Sequence, residues 1–437
     1  MQTRTAARAL GQRPFLVSPY LTVVIPAQNE GPSLAVLLPQ LRNVLESLNV
    51  AYEILIVTSQ VDQATRKAAT DSGALVIEQT ESGYGASLLT GFANARGSYI
   101  LTMDADLSHG PEFIRQLWQE RHSADVLVAS RYVPGGEARM PRSRRFFSRG
   151  LNKLFGSGLS LPIKDLSSGY RLYKAEVVQE PIKARDFDIL QEILVRSYAQ
   201  GWTTREVPFA YAPSKNGSSS ARVIRFGRAY LRTFWSLWKL RNSILCADYD
   251  DRAHDSRIPL QRYWQRERHR HITDLIAGQG PVLDVGCGSS RIISALPEKS
   301  LAIDILLRKL RYARKFGAML THGSGFTLPV RDHAFPCVLC SQVIEHVPKE
   351  SPILSELDRT LAPGGRLVLG TPDYANWEWV VTEKLYGWFA PGAYADEHIA
   401  HYTRKELIDM FEAKGYKLEA VRYILRGELI LAFRKPS

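Results

Sequence analysis

Two aspartates, Asp104 and Asp106, follow the apolar run Ser98-Tyr-Ile-Leu-Thr-Met103. Alternation in an extended chain end puts both carboxylates on one side. Two hard oxygen donors so placed suit Mg²⁺ or Mn²⁺ bridging a diphosphate. Such a cation acts as a Lewis acid on a departing nucleoside diphosphate. The plain alternative for a bare Asp-x-Asp is a solvated acidic turn. Further along, Val282-Leu-Asp-Val-Gly-Cys-Gly288 ends a second apolar run in a glycine-bearing turn, where backbone can approach a ligand closely. Arg291 stands where a dinucleotide fingerprint has its third glycine. Asp284, just ahead of Gly286, suits a cationic ligand better than a pyrophosphate. Asp304 ends the next run, where a carboxylate can bind ribose hydroxyls.

The elements that must carry these residues alternate. Apolar, β-branched runs at 21–25, 53–57, 74–77, 98–103 and 125–130 are separated by helix-like stretches such as 32–48 and 62–72. That pattern predicts a parallel sheet covered by helices, with ligands at the carboxyl ends of the strands. From 243 to 272 the pattern breaks into acidic and then Arg/His-rich segments and reads as a connector. A second alternation follows, with strands at 281–285, 300–304, 318–321, 337–341 and 365–370, helices at 306–316 and 352–361, and a final hairpin over 417–433. The expected domains are a basic tail at 1–17, an α/β domain at 18–242, a linker at 243–272 and a second α/β domain at 273–437.

Bulk properties set limits on function. The 437 residues are 45% hydrophobic and 23% charged, which is ordinary for globular protein. The net charge of +12 favours phosphates, anionic lipid or nucleic acid as partners, or is simply a solvated surface. Four cysteines make no disulfide framework, and Cys337-x-x-Cys340 supplies only half a zinc site. Buried reduced thiols are the expectation. The first 13 residues lack the apolar region of a secretory signal. No uncharged apolar run reaches the about 18 residues that a membrane span needs. A cytoplasmic protein is expected, or one peripheral to the inner face of the cytoplasmic membrane.

Four stretches of the first domain resemble family 2 glycosyltransferases of the GT-A fold, of the dolichyl-phosphate mannose synthase-like type. They are Val23-Val-Ile-Pro-Ala-Gln-Asn-Glu30, Met103-Asp-Ala-Asp-Leu-Ser-His109, Ser130-Arg-Tyr-Val-Pro-Gly-Gly136 and Asp165-Leu-Ser-Ser-Gly-Tyr-Arg171. The resemblance implies an inverting transferase that uses a nucleotide sugar, UDP- or GDP-linked. It places Pro26, Ala27 and Glu30 at the nucleotide, Asp104 and Asp106 at the diphosphate and metal, Arg131 at phosphates and Arg149 at an acceptor phosphate. Two departures stand out. The family's Asp-Asp-Gly-Ser after the second strand is Thr58-Ser59 here, within Val57-Thr-Ser-Gln-Val-Asp62. Its basic Gly-x-Ser-Lys segment is Lys215-Asn-Gly-Ser-Ser-Ser220. A phosphate-monoester acceptor is already anionic and needs no general base, and none is evident. This favours polyprenyl phosphate as acceptor; a lipid-linked glycan, whose sugar hydroxyl would need a base, is the other acceptor considered.

The second domain resembles class I S-adenosylmethionine-dependent methyltransferases, a Rossmann-like seven-stranded fold. The resemblance rests on Val282–Gly288, Ala302-Ile-Asp304, Ser341-Gln-Val-Ile-Glu-His-Val347 and Leu361-Ala-Pro-Gly-Gly-Arg-Leu367. It implies S-adenosyl-L-methionine as cofactor, with Asp284, Gly286 and Gly288 at the methionine end, Asp304 at the ribose and Phe326 against the adenine. For a hydroxyl acceptor a base is usual. His346, His398 and His401 are the candidates, with Asp396 and Glu397 as partners and His398 placed first. The turn Ser341-Gln-Val-Ile lacks the Asn/Asp-Pro-Pro-aromatic pattern of amino-methylating nucleic-acid enzymes.

At the end of the first domain, Arg225, Arg228, Arg232 and Lys239 fall in one arc of a helix at about 100° per residue, with aromatic and aliphatic residues, and also Arg241, opposite. This is the pattern of an interfacial helix at anionic lipid, or of a core-packed helix with a basic edge. The expected function is a bifunctional enzyme, combining sugar transfer to a lipid-linked acceptor with O-methylation of a glycan or lipid-linked sugar. Two rivals remain. One is a methyltransferase with an inactive glycosyltransferase-like binding domain. The other is an RNA or tRNA methyltransferase with an N-terminal binding module, although no nucleic-acid-binding motif is present.

Overall fold

The computed structural model describes residues 20–139, 142–211, 223–379, 381 and 398–437, excepting the side chains of 142–144, 147, 151 and 223–231. The expected basic tail at 1–17, Asp396 and Glu397 and the 215–220 segment lie outside the described residues. The chain divides into two compact units, one of residues 1–198 with 202–238 and the other of 199–201 with 239–437.

The first unit runs β1 (Leu21–Pro26), α1 (Gly31–Ser47), β2 (Tyr52–Thr58), α2 (Gln63–Ser72), β3 (Leu75–Glu78), α3 (Tyr84–Asn94), β4 (Tyr99–Thr102), α4 (Phe113–Gln119), β5 (Val126–Ser130), β6 (Glu137–Ala138), α5 (Arg142–Gly158), β7 (Arg171–Lys174), α6 (Ile189–Ala199), β8 (Thr204–Pro208), β9 (Ala210–Tyr211) and α7 (Val223–Asn242). Seven strands form one sheet in the order β3-β2-β1-β4-β7-β5-β8. All pairings in it are parallel except those of β7, which runs antiparallel to β4 and β5. The core follows from helical periodicity. In α1, Leu34, Leu37, Leu38, Leu41, Val44 and Leu45 make one stripe that is wholly buried with Val23 and Ile25 of β1. Burying each such side chain is worth about 1.5–3 kcal/mol. Asp62 caps α2 by accepting from the Thr65 amide at 2.8 Å, and Gly73 ends the helix at φ +68°.

The second unit runs α8 (Tyr249–His254), α9 (Pro259–Ile276), β10 (Val282–Val285), β11 (Leu301–Asp304), α10 (Leu307–Ala313), β12 (Met319–His322), β13 (Phe335–Ser341), α11 (Ile353–Thr360), β14 (Leu361–Pro372), α12 (Arg404–Glu412), β15 (Lys417–Ile424) and β16 (Glu428–Arg434). Its seven-stranded sheet has the order β12-β11-β10-β13-β14-β16-β15, with only β16 antiparallel to its neighbours. The α/β class expected for both domains, with seven strands in the second, is the class observed. Cys337 and Cys340 lie buried in β13 as free thiols.

The 243–272 stretch, read from sequence as a connector, is largely helical. It forms α8 and most of α9, and α9 buries Ile272, Leu275 and Ile276 against Val282, Leu339 and Ile430 of the second sheet. Its carboxylates are engaged one by one. Asp248 takes two bonds from Arg241 at 2.7 and 2.8 Å, and Asp251 accepts from Tyr312 at 2.5 Å and from Arg291 and Lys315. The acidity of this stretch is structural pairing. In α7, Arg241 is 1% exposed, so this arginine on the apolar side of the expected interfacial helix is buried by ion pairing. The side chains of Arg225 and Arg228 lie outside the described residues. Among the described residues no helix is long and apolar enough to cross a membrane.

Candidate active sites

In each sheet the connections reverse direction beside the first strand: β1 lies between β2 and β4, and β10 between β11 and β13. Such switch points open a crevice at the carboxyl ends of the strands. In the first unit, Pro26 and Ala27 end β1, with the Ala27 amide bonded to the Val57 carbonyl at 2.8 Å. Glu30 stands at the start of α1 and accepts from Ser33 at 2.9 Å. At the end of β2 the Thr58 hydroxyl donates to the Gln60 carbonyl at 2.9 Å, while Asp62, in the loop that follows, is taken up in capping α2.

Asp104 and Asp106 follow β4 on the same rim, both partly exposed. Asp106 accepts from the Ser108 amide at 3.0 Å. Asp104 accepts from the Tyr84 phenol at 3.3 Å. Its own amide donates to His109 Nδ1 at 2.9 Å, and His109 Nε2 lies 3.6 Å from Asp104 Oδ2. Burial lowers the pKa of His109, outweighing the opposite pull of Asp104 and Asp106. With Nδ1 accepting, the neutral ring carries its proton on Nε2, toward Asp104. Stacking of His109 on Tyr170, with ring centroids 4.8 Å apart, fixes it there. Among the described residues no lysine or arginine pairs with Asp104 or Asp106, which leaves uncompensated negative charge fit for a divalent cation. Gly169 makes room: a Cβ there would sit 2.6 Å from the Tyr84 hydroxyl.

Arg131 is engaged in a fork. Its Nε and Nη2 donate to Asp165 at 2.7 Å each, and Nη2 also donates to Ser167 at 2.8 Å. Burial alone would raise the Asp165 carboxyl, but the guanidinium more than offsets it and holds it below the ordinary range. Arg131 therefore orders the 165–170 loop behind Asp104. Arg149 is exposed on α5, 5.4 Å from the Tyr132 ring. One turn on, Asn152 is buried, and its amide has no hydrogen-bond partner among the described residues.

In the second unit a cavity of about 650 Å³ opens at the switch point, within the range of small-molecule sites. Asp284, Gly286, Gly288, Asp304 and Phe326 all line it. Gly286 has φ +76°, and a Cβ there would meet Val343 Cγ2 at 2.2 Å; only glycine fits. Asp304 accepts from the Gly288 amide at 2.8 Å and the Leu306 amide at 2.7 Å, which holds the glycine loop against β11. Burial, and next the Asp304 charge, push Asp284 up to about 7. A sulfonium or ammonium group in the cavity would relieve that burden.

One lining residue comes from the acidic stretch. Asp250 accepts from the Ser289 amide at 3.1 Å, the Ser289 hydroxyl at 3.0 Å and Lys309 at 2.7 Å. It buttresses the glycine loop, and a Cβ at Gly288 would lie 2.8 Å from it. At the opposite end, beyond β13, His346 lines the cavity. His398 packs on His346 with ring centroids 5.0 Å apart, and its Nδ1 pairs with the Tyr374 hydroxyl at 2.7 Å. His401 instead stacks on Tyr374 at 4.0 Å. Tyr84, Asp250, Lys309 and Tyr374 are not legible as site residues, because each reaches its site across the fold with no motif to mark it. His109 lies in the Met103–His109 motif, but the sequence assigns it no role.

The glycosyl transferase family 2 model matches residues 22–180, and a methyltransferase domain model matches residues 283–369. Over 237 residues the chain is 32% identical to a dolichol-phosphate mannosyltransferase of Pyrococcus furiosus, covering 51% of this chain and 65% of that protein. It therefore spans just under two thirds of that relative. Over 225 residues it is 30% identical to an undecaprenyl-phosphate mannosyltransferase of Micrococcus luteus, covering 49% of this chain and 93% of that protein. Among solved structures, a glucosyl-3-phosphoglycerate synthase from Mycobacterium tuberculosis, in complex with Mn²⁺, uridine diphosphate and phosphoglyceric acid, is similar in fold. It has 17% identity and a TM-score of 0.42, over 50% of this chain and 78% of that one.

Proposed function

Since the chain belongs through residues 22–180 to glycosyl transferase family 2 and carries a methyltransferase domain behind it, we propose a bifunctional transferase. Its first unit moves a sugar from a UDP- or GDP-sugar to polyprenyl phosphate or a lipid-linked acceptor. Its second methylates an oxygen of a glycan or lipid-linked sugar with S-adenosylmethionine. The observation that carries this reading is the pair of carboxylate-bearing strand ends, each at a switch point: Asp104 and Asp106 in one sheet, Asp284 and Asp304 in the other.

In the first unit, Pro26, Ala27 and Glu30 border the nucleotide. Asp104 and Asp106 would hold Mg²⁺ or Mn²⁺, which when bound supplies charge neutralisation on the departing diphosphate. Neutral His109 and Tyr84 orient Asp104. An acceptor phosphate oxygen attacks the sugar's anomeric carbon while its bond to the nucleoside diphosphate breaks, with inversion. The acceptor is already anionic, so no base is required. Arg149, with the Asn152 amide one turn on, is suited to receive that phosphate, and Arg131 keeps the loop behind Asp104 in register. The relatives' mannosyl transfer to dolichol and undecaprenyl phosphates supports this acceptor class. The described end of α7 carries exposed Arg232 and Trp235, which supports peripheral binding at an anionic membrane face inside the cell.

In the second unit, Asp304 takes the ribose, Phe326 the adenine, and Asp284 with the glycine loop the methionine end. His346 and His398 handle the acceptor hydroxyl. The test uses the purified full chain with nucleotide sugars, Mn²⁺, micellar polyprenyl phosphate and labelled S-adenosylmethionine. Asp106→Asn should abolish sugar transfer and spare methyl transfer onto preformed glycolipid, and Asp304→Ala should do the reverse. Sugar transfer at the wild-type rate in Asp106→Asn, or without divalent cation, would overturn the assignment of the first site.

A further inference from the structure

Beside the methyl-transfer end of the second cavity, Glu345, His346 and His398 offer ligand atoms that all lie within 4.8 Å of one another. Fold contacts assemble them from distant positions. The Ile399 and Ala400 amides both donate to the Glu345 carbonyl, at 2.8 and 3.0 Å, which pins the segment that follows His398 against Glu345. The Tyr374 hydroxyl pairs with His398 Nδ1 at 2.7 Å. This is the orientation that an outer hydrogen bond gives to a metal-binding imidazole.

Glu345 supplies the independent observation. It is 0% exposed, and neither carboxylate oxygen makes a hydrogen bond of good geometry among the described residues, with the Thr371 hydroxyl as a polar neighbour. A buried carboxylate without partners is costly. A cation between Glu345 and the two imidazoles would satisfy it.

We propose that Glu345, His346 and His398 form a binding site for a divalent first-row transition cation, placed to bind the acceptor oxygen. Two imidazole nitrogens and one carboxylate suit Zn²⁺, Mn²⁺ or Fe²⁺ better than Mg²⁺ or Ca²⁺. Three protein ligands leave coordination positions open for substrate. Ligands about 2.1 Å from a cation lie roughly 3–3.5 Å apart, so the side chains close by about an ångström on binding. The inference rests on the reading of this cavity as a methyl-transfer site. The acceptor hydroxyl, acidified by the cation, gives its proton to water as its oxygen attacks the methyl carbon. The O–C bond forms, the sulfonium S–C bond breaks, and neutral S-adenosylhomocysteine leaves.

The test uses the full chain carrying Asp104→Asn and Asp106→Asn, which silence the first unit's cation site. After chelator dialysis it is titrated with Co²⁺ and followed by calorimetry and visible absorption. One equivalent should bind with d–d bands of nitrogen ligation. Glu345→Gln or His398→Ala should weaken binding on the order of 100-fold or more, and Tyr374→Phe about 10–100-fold. S-adenosylmethionine binding, measured on the same samples, should persist in Tyr374→Phe, so that this variant decides the matter if His398→Ala misfolds. No Co²⁺ binding, or equal binding in all three variants, would overturn the site. Loss of S-adenosylmethionine binding in the parent chain with Co²⁺ binding intact would instead overturn the methyl-transfer reading.

Discussion

Replacing Asp284 by Asn should stabilise the ligand-free second unit while destroying its cofactor site. Asp284 lies buried in β10, and its folded-state pKa is pushed from the ordinary 3.8 to about 7, by burial and then by Asp304. Below pH 3.8 folded and unfolded chains both carry the proton. Between 3.8 and 7 the unfolded chain sheds a proton that the folded chain keeps, so stability falls as pH rises through that window and levels off above it. The shift corresponds to about 4 kcal/mol. Asparagine cannot ionise, so at pH 8 the variant should regain up to that amount. At about 2–4 °C per kcal/mol for a domain of this size, the gain is roughly 8–16 °C at most. Scanning calorimetry of the full chain, following the transition that S-adenosylmethionine shifts, should show wild type and variant melting together at pH 4 and apart at pH 8. By titration calorimetry the wild type should bind S-adenosylmethionine more weakly as pH falls below 7, and the variant weakly at every pH. Melting curves with the same pH dependence in both proteins would refute the reasoning.

Gly286→Ala should cost about 1–2 kcal/mol for the left-handed backbone and about 1–3 kcal/mol for the clash with Val343, and should abolish S-adenosylmethionine binding in calorimetry; unchanged affinity would show that the loop moves freely. Asp165→Asn should destabilise the first unit by about 3–5 kcal/mol, because it strands the buried Arg131 guanidinium, as read from urea unfolding. Lys309→Met should destabilise the second unit by a similar amount near neutral pH. The Asp250 carboxyl is held below its ordinary 3.8, against burial, by Lys309 and Ser289, so that loss should shrink as pH falls through the acid range and Asp250 protonates.

What was legible in the sequence is what local pattern encodes. The apolar runs became strands because burial on both faces of a parallel sheet needs continuous β-branched sequence, and Asp104, Asp106, Asp284 and Gly286 stand out because they follow such runs directly. β7 was not anticipated. Its four residues, Arg171–Lys174, include a wholly buried arginine, which pairs with the Leu166 and Leu190 carbonyls at 2.8 and 2.7 Å. The 249–255 stretch reads as connector because the strand and helix alternation breaks there, while the partners of its carboxylates, Ser289, Arg291, Lys309, Tyr312 and Lys315, lie far along the chain. Pairings of that range leave no local signal. His398 was found only as one of several histidines; its place beside Glu345 depends on backbone bonds across the fold.

Two transfers by one chain are tested most directly by mass spectrometry of lipid-linked sugars from cells with and without it. The expected result is a polyprenyl-phosphate species heavier by one sugar and one methyl group. The sugar-only species should accumulate with Asp304→Ala, and neither should form with Asp106→Asn. A methylated product that forms without the sugar increment, or lipid profiles indifferent to the chain, would contradict the account.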